Sequence, residues 1–209
     1  MGVGINSVSN LINISEQVGS IRILSIEPNI KFYSKELQKQ ELIPNFRIEN
    51  IFFEDLSQDT VDSFLGKLPD LIILNSVLHE VESLHNFMMT IRKFSNSGTT
   101  IFVNVPNSES LHLELFKRFQ DKKHIDSNSA EISGRKRQFN ISQLREIMQS
   151  YGFVEKESRT IGFKPFTKSQ LSTIIDQRIV EGLNYETLAS FEPKSNYGSE
   201  IEAIYSFDG

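Results

Sequence analysis

The 209-residue chain contains no cysteine. That excludes a disulfide framework, a thiolate metal site and a cysteine nucleophile. Long apolar runs are also missing: none reaches the roughly 18 residues of a membrane span. The first residues lack the basic n-region and apolar h-region of a signal peptide, so a cytoplasmic setting is the default expectation. Positive charge is in short supply. With 22 Lys and Arg against 27 Asp and Glu, the net charge is -5, which argues against broad nucleic-acid binding. The histidines show no HxxxH or HExxH spacing, so no metal site is expected. No internal repeat or low-complexity linker appears.

What the chain does have is an alternation of apolar and amphipathic runs. That pattern implies βα units around a mostly parallel sheet, within one domain spanning residues 1–209. Strands are expected at 21–26 (IRILSI), 46–53 (FRIENIFF), 71–74 and 99–105 (TTIFVNV). A late strand pair is expected at 153–161 and 200–207. Helix is expected over 30–40 and 84–94, where Leu84, Phe87, Met88, Ile91 and Phe94 fall at helical spacing. Residues 59–68 read as a short polar helix or loop. Asn140 with Gln143 forms a capping-box pattern ahead of Ile141, Leu144, Met148 and Tyr151, and Gly152 sits at the C-terminal stop. The weakly patterned stretch 114–138 reads as a lid or insertion, and 167–189 as a helical excursion.

In open parallel sheets, ligands sit at the carboxyl ends of the strands. The segment from Pro69 to Leu113 places Asn75 and Ser76 at one such end and Asn104 to Ser110 at another. Gly2 and Gly4, followed by Asn6 and a helically spaced Val8, Leu11 and Ile12, form a GxGx turn through which a backbone can approach a ligand. A terminal flexible stretch is the competing reading. Glu27 ends a strand 23 residues after Gly4, the place from which a carboxylate binds ribose hydroxyls. A solvated strand-end acid is the alternative. Glu54 and Asp55 end the next strand, where an acid can accept a hydrogen bond from a purine amine or simply face water. His79 and His112 have side chains that titrate near neutrality and can act as bases; packed or capping roles are the alternative for both. Arg135, Lys136 and Arg137 form a short basic run suited to an anionic substrate or to a solvated face.

Several blocks, in this order, resemble class I S-adenosylmethionine-dependent methyltransferases of the type that acts on small molecules and sugars. GVGIN is similar to the family's glycine loop, SIEPN to the second-strand end and FFEDL to the third. PDLIILNSVLHEVESLHNFM is similar to the fourth-strand block, with VLHEV where the family usually has VLEHV. TTIFVNVPNSESLH resembles the fifth strand and its substrate-side loop, and GRKRQFNISQLREIMQSYGF the following loop and helix. FKPFTKSQL resembles a tail found in members linked to surface-polysaccharide modification.

The resemblance implies a Rossmann-like three-layer α/β sandwich with strand order 3-2-1-4-5-7-6 and an antiparallel late strand. It implies S-adenosylmethionine as cofactor, bound by Gly2, Gly4, Asn6, Glu27, Asp55, Leu56, Asn75 and Ser76. The acceptor side would use Asn107 and Arg137, with His112 and then His79 as general base. A small, sugar-like or saccharide acceptor, methylated on oxygen, is the implied substrate. No nucleic acid and no membrane span enter, and nothing sets the oligomeric state. The family has a strand immediately before the glycine loop. Here Met1 stands there, so the expectation is a chain lacking that strand through a misplaced start. A non-catalytic scaffold of the same fold is the alternative. A nicotinamide oxidoreductase shares the glycine loop and ribose acid but not the PNSESLH block.

Overall fold

The computed structural model describes residues 21–40, 45–111, 113, 136–162 and 196–208. Strand β1 (Ile23–Ile26) leads to helix α1 (Ile30–Gln40) and strand β2 (Phe46–Glu49). A 3-10 turn (Phe53–Asp55) and helix α2 (Gln58–Leu65) follow. Strand β3 (Leu71–Asn75), helix α3 (Leu84–Lys93) and strand β4 (Thr100–Pro106) make the next unit. Helix α4 (Ile141–Ser150) then precedes β5 (Phe153–Ile161) and β6 (Glu200–Phe207).

Among the described residues the strands form two sheets. One is the parallel pair β1-β2; the other has the order β3-β4-β6-β5. In the second sheet β3 and β4 are parallel, and β6 lies antiparallel between β4 and β5. In the family's strand count this is 3-2 on one side and 4-5-7-6 on the other, the α/β order expected for the methyltransferase sandwich.

Short-range chemistry explains the element ends. Ser83 caps α3 by accepting the Asn86 N–H, and Ser57 caps α2 through Thr60. Asn140 and Gln143 form the reciprocal capping box of α4, satisfying two N–H groups that a helix start otherwise leaves orphaned. Gly152, at φ 88, turns the chain from α4 into β5, a conformation open to glycine at little cost.

Burial follows the same logic. β4 is paired on both edges, and its Ile101, Val103 and Val105 are fully buried. They share a core with Met88 and Ile91 of α3, Leu144 and Met148 of α4, and Ile201 and Tyr205 of β6. A second cluster joins Ile26, Leu56, Val61 and Phe94. Phe53 packs on both clusters, with ring centroids 5.0 Å from Phe87 and 6.5 Å from Phe94. Each such side chain removed from water contributes about 1.5–3 kcal/mol before entropy is counted.

The second strand is shorter than its alternation suggests. It stops at Glu49 rather than Phe53. The Asn50 amide bonds back to the β1 terminus, and Phe53 turns into the core through the 3-10 turn while Phe52 stays exposed. Of the stretch 114–138, read as a lid or insertion, residues 114–135 lie outside the described residues, as does 167–189, read as a helical excursion. No described helix is long and apolar enough to cross a membrane.

Candidate active site at the strand carboxyl ends

At the end of β1 the chain is locked at Glu27, which is only 5% exposed. Its backbone N–H extends the ladder to Glu49 O at 3.0 Å. Its Oε1 accepts the Asn29 N–H at 2.8 Å. From β2, the Asn50 amide donates to Glu27 O at 2.7 Å and to Pro28 O at 3.2 Å. The Asn29 N–H reaches the carboxylate itself, and the other bonds fix the backbone that carries it. They bear against the reading of a freely solvated acid, because burying a carboxylate is costly unless it is hydrogen-bonded.

Following β2, Asp55 closes the 3-10 turn with its side chain exposed, while Leu56 is buried beneath it. Asp55 thus presents an acceptor to solvent on a turn anchored by an apolar neighbour.

Beyond β3, Asn75 is paired in register with Asn104 of β4. Ser76 adopts a left-handed backbone, φ 53, uncommon for a residue with a side chain. Two bonds hold it there: its N–H donates to Asn104 O at 2.8 Å, and its hydroxyl donates to Asn104 Oδ1 at 3.2 Å. The Asn104 amide in turn donates to Glu200 on β6 at 2.9 Å. Backbone strain of this kind gathers at functional sites. His79 follows, nearly buried, with Nε2 3.5 Å from Glu80 Oε1.

The residues expected on the acceptor side are held by the chain itself. The Asn107 amide donates to Asn196 O and Gly198 O, each at 2.7 Å, and its Oδ1 accepts the Glu109 N–H. Asn107 therefore staples the loop before β6 onto the end of β4. The Arg137 guanidinium donates to the carbonyls of Val81 and Glu82. Lys136 reinforces this twice. Its N–H donates to His79 O, and its ammonium pairs with Glu82, whose carboxyl is held below the usual range by that contact. The segment 136–139 thus clasps the loop after β3, while Phe139 O accepts the Ser108 N–H after β4.

Gly2, Gly4, Asn6, His112 and Arg135 lie outside the described residues. Asn50 carries geometry that the sequence reading did not single out, and Asn104 entered that reading only as the start of the polar strand end 104–110. Asn104 had a signal, a polar residue inside an apolar strand; Asn50 had none beyond its place at a strand end. Among the described residues no group of three His, Asp or Glu side chains is set to hold a metal ion.

Residues 3–156 match the family model described as "Methyltransferase domain". No curated protein matches the chain significantly. Solved structures agree on the fold. A Thermotoga maritima SAM-dependent methyltransferase, a possible histamine N-methyltransferase, aligns with a TM-score of 0.60 at 13% identity, over 98% of this chain and 79% of that one. A putative S-adenosylmethionine-dependent methyltransferase from Listeria monocytogenes aligns at 0.60 and 11% identity, over 100% and 88%. Magnesium protoporphyrin IX methyltransferase from Synechocystis, with SAH bound, aligns at 0.53 and 12%, over 96% and 70%. With the carboxyl-end geometry and a family match over most of its length, the chain belongs to the methyltransferase domain family and has the Rossmann-like class I fold of the S-adenosylmethionine-dependent enzymes.

Proposed function

We propose that the protein transfers a methyl group from S-adenosylmethionine to an oxygen of a small, sugar-like acceptor. The observation that carries the cofactor reading is the clamped, buried Glu27 at the end of β1. A carboxylate is an acceptor-only group, suited to a pair of ribose hydroxyls. Asp55 accepts from the adenine amine, and Leu56 packs beside it. Asn75 and Ser76 line the methionine end. Gly2, Gly4 and Asn6 take the glycine-loop role that the resemblance assigns them.

The cofactor's sulfonium supplies an electrophilic methyl group when bound. The protein's own work is in-line placement and exclusion of water. An imidazole nitrogen would take the hydroxyl proton of an acceptor whose oxygen receives the methyl group. His112 is the first candidate and His79 the second, with the Glu80 carboxylate near Nε2 to stabilise the imidazolium. Asn107 and Arg137 shape the acceptor side by holding the loops on either side of it.

The solved neighbours span acceptors as different as a porphyrin and possibly histamine, so the acceptor reading rests on the PNSESLH and FKPFTKSQL blocks. Methyl transfer to hydroxylated sugars and to amines of similar size tests it. Turnover on the hydroxyl panel, with His112→Ala reducing kcat and flattening its acidic limb, is expected. Turnover on amines alone, or an unchanged pH profile in both His112→Ala and His79→Ala, contradicts it.

A further inference from the structure

A chain of polar groups crosses the sheet near its carboxyl ends, from the end of β3 through β4 to β6. Ser76 stands at one end of it, exposed and left-handed at φ 53. Both of its donors go to Asn104: the N–H to the backbone O at 2.8 Å, the hydroxyl to Oδ1 at 3.2 Å. Asn104 is buried, and its amide donates to Glu200 Oε2 at 2.9 Å. Glu200 is half-buried at the start of β6, beside Pro106 in the ladder.

The chemistry of these groups sets the direction of both side-chain hydrogen bonds. A carboxylate accepts and cannot donate, so the NH2 of Asn104 must face Glu200. A reversed amide would press its oxygen against the carboxylate, a costly arrangement for a buried polar group. Oδ1 is therefore left for Ser76, and an amide oxygen also only accepts. The Ser76 hydroxyl commits its one proton to Asn104. What it turns to the exposed side is its lone pairs.

We propose that Glu200 is a positioning residue: acting through Asn104, it makes Ser76 a hydrogen-bond acceptor toward the ligand. The proposal rests on the reading that places Ser76 at the methionine end of the cofactor. A methionine end carries two charged groups of opposite hydrogen-bonding character. Its ammonium only donates and its carboxylate only accepts. A hydroxyl whose proton is already committed favours the ammonium. Without the Glu200 carboxylate nothing compels the Asn104 amide to keep its orientation. Ser76 can then present its proton or its lone pairs, and the preference fades.

The test is a ratio of two affinities measured by calorimetry, for S-adenosylhomocysteine and for its analogue lacking the amino group. The parent chain is expected to favour the amine by about tenfold or more, the range of a hydrogen bond to a charged group. Glu200→Leu should lower that ratio by about fivefold or more. Ser76→Gly removes the hydroxyl at a position whose φ of 53 suits glycine, and should lower the ratio to a similar degree. Adding Glu200→Leu to Ser76→Gly should then change the ratio by less than about twofold, because both substitutions remove one interaction. Should Glu200→Leu fail to fold, Glu200→Gln carries the same comparison with a smaller effect, since its oxygen can still accept from Asn104. A parent ratio near one overturns the proposal, and so does a ratio unchanged by substitution of Glu200. An effect of Glu200 that persists undiminished beside Ser76→Gly also overturns it, because the charge would then act on the ligand directly. Absence of S-adenosylhomocysteine binding in the parent removes the cofactor reading and this proposal with it; binding with an unchanged ratio removes this proposal alone.

Discussion

At the scale of single residues, the charged and polar groups with resolved partners act on the scaffold. Arg145 meets Glu155 with two hydrogen bonds of 2.9 and 2.8 Å, and Ser158 adds a third at 2.9 Å. The Arg145 hydrogen bond holds the Glu155 carboxyl below its ordinary range. A carboxyl whose folded pKa lies below its unfolded one binds fewer protons when folded, so stability rises with pH across that interval. The stabilisation is complete above the ordinary carboxylate pKa and is lost as pH falls through the folded value. Arg145→Met is therefore expected to cost about 0.5–1 kcal/mol at pH 7, a modest figure because Arg145 is partly in water. The difference from the parent should shrink steadily below about pH 4.5; urea melts at pH 7 and pH 3.5 check this. Tyr205 is the contrasting case. Burial pushes its phenol well above the ordinary range, so it stays neutral, a core residue with no proton to give at working pH.

At the scale of elements, periodicity and capping chemistry made most spans readable. The helix at 30–40 and the strands at 153–161 and 200–207 appear with the bounds their patterns implied. Local signals set these, because side-chain alternation and Asn140 with Gln143 act within a few residues. The end of β2 was not readable. What stops it is Asn50 reaching the carbonyl of Glu27, 23 residues away, and no periodicity reports such a contact. The bonds that Asn107 and Arg137 make were opaque for the same reason. Asn107 and Arg137 carried a chemistry signal in the sequence, while their backbone partners lie 89 and 56 residues off. Asn140→Ala removes the half of the capping box in which the Asn140 side chain accepts the Gln143 N–H, and leaves the Asn140 backbone N–H donating to Gln143 Oε1. A loss of about 1 kcal/mol is expected. For a chain of this size that is about 2–4 °C in Tm, measurable by thermal melts followed by circular dichroism.

At the scale of the whole molecule, the strand sequence 3-2 and 4-5-7-6 follows from patterns the sequence carries, while the cavity between the two sheets does not. Acids and amides at strand ends announce themselves in sequence by following apolar runs. The cavity is a relation between β1 and β3, whose residues read as ordinary strands until both are seen to line it. The central claim is that Glu27 anchors S-adenosylmethionine at the end of β1. Its most direct test is calorimetric titration of S-adenosylhomocysteine into the 209-residue chain with and without Glu27→Ala. The account expects saturable one-to-one binding, weakened ten- to a hundredfold by Glu27→Ala, the span of a charge-assisted hydrogen-bond pair. Absence of binding in the parent chain, or equal affinity in parent and Glu27→Ala, would contradict it.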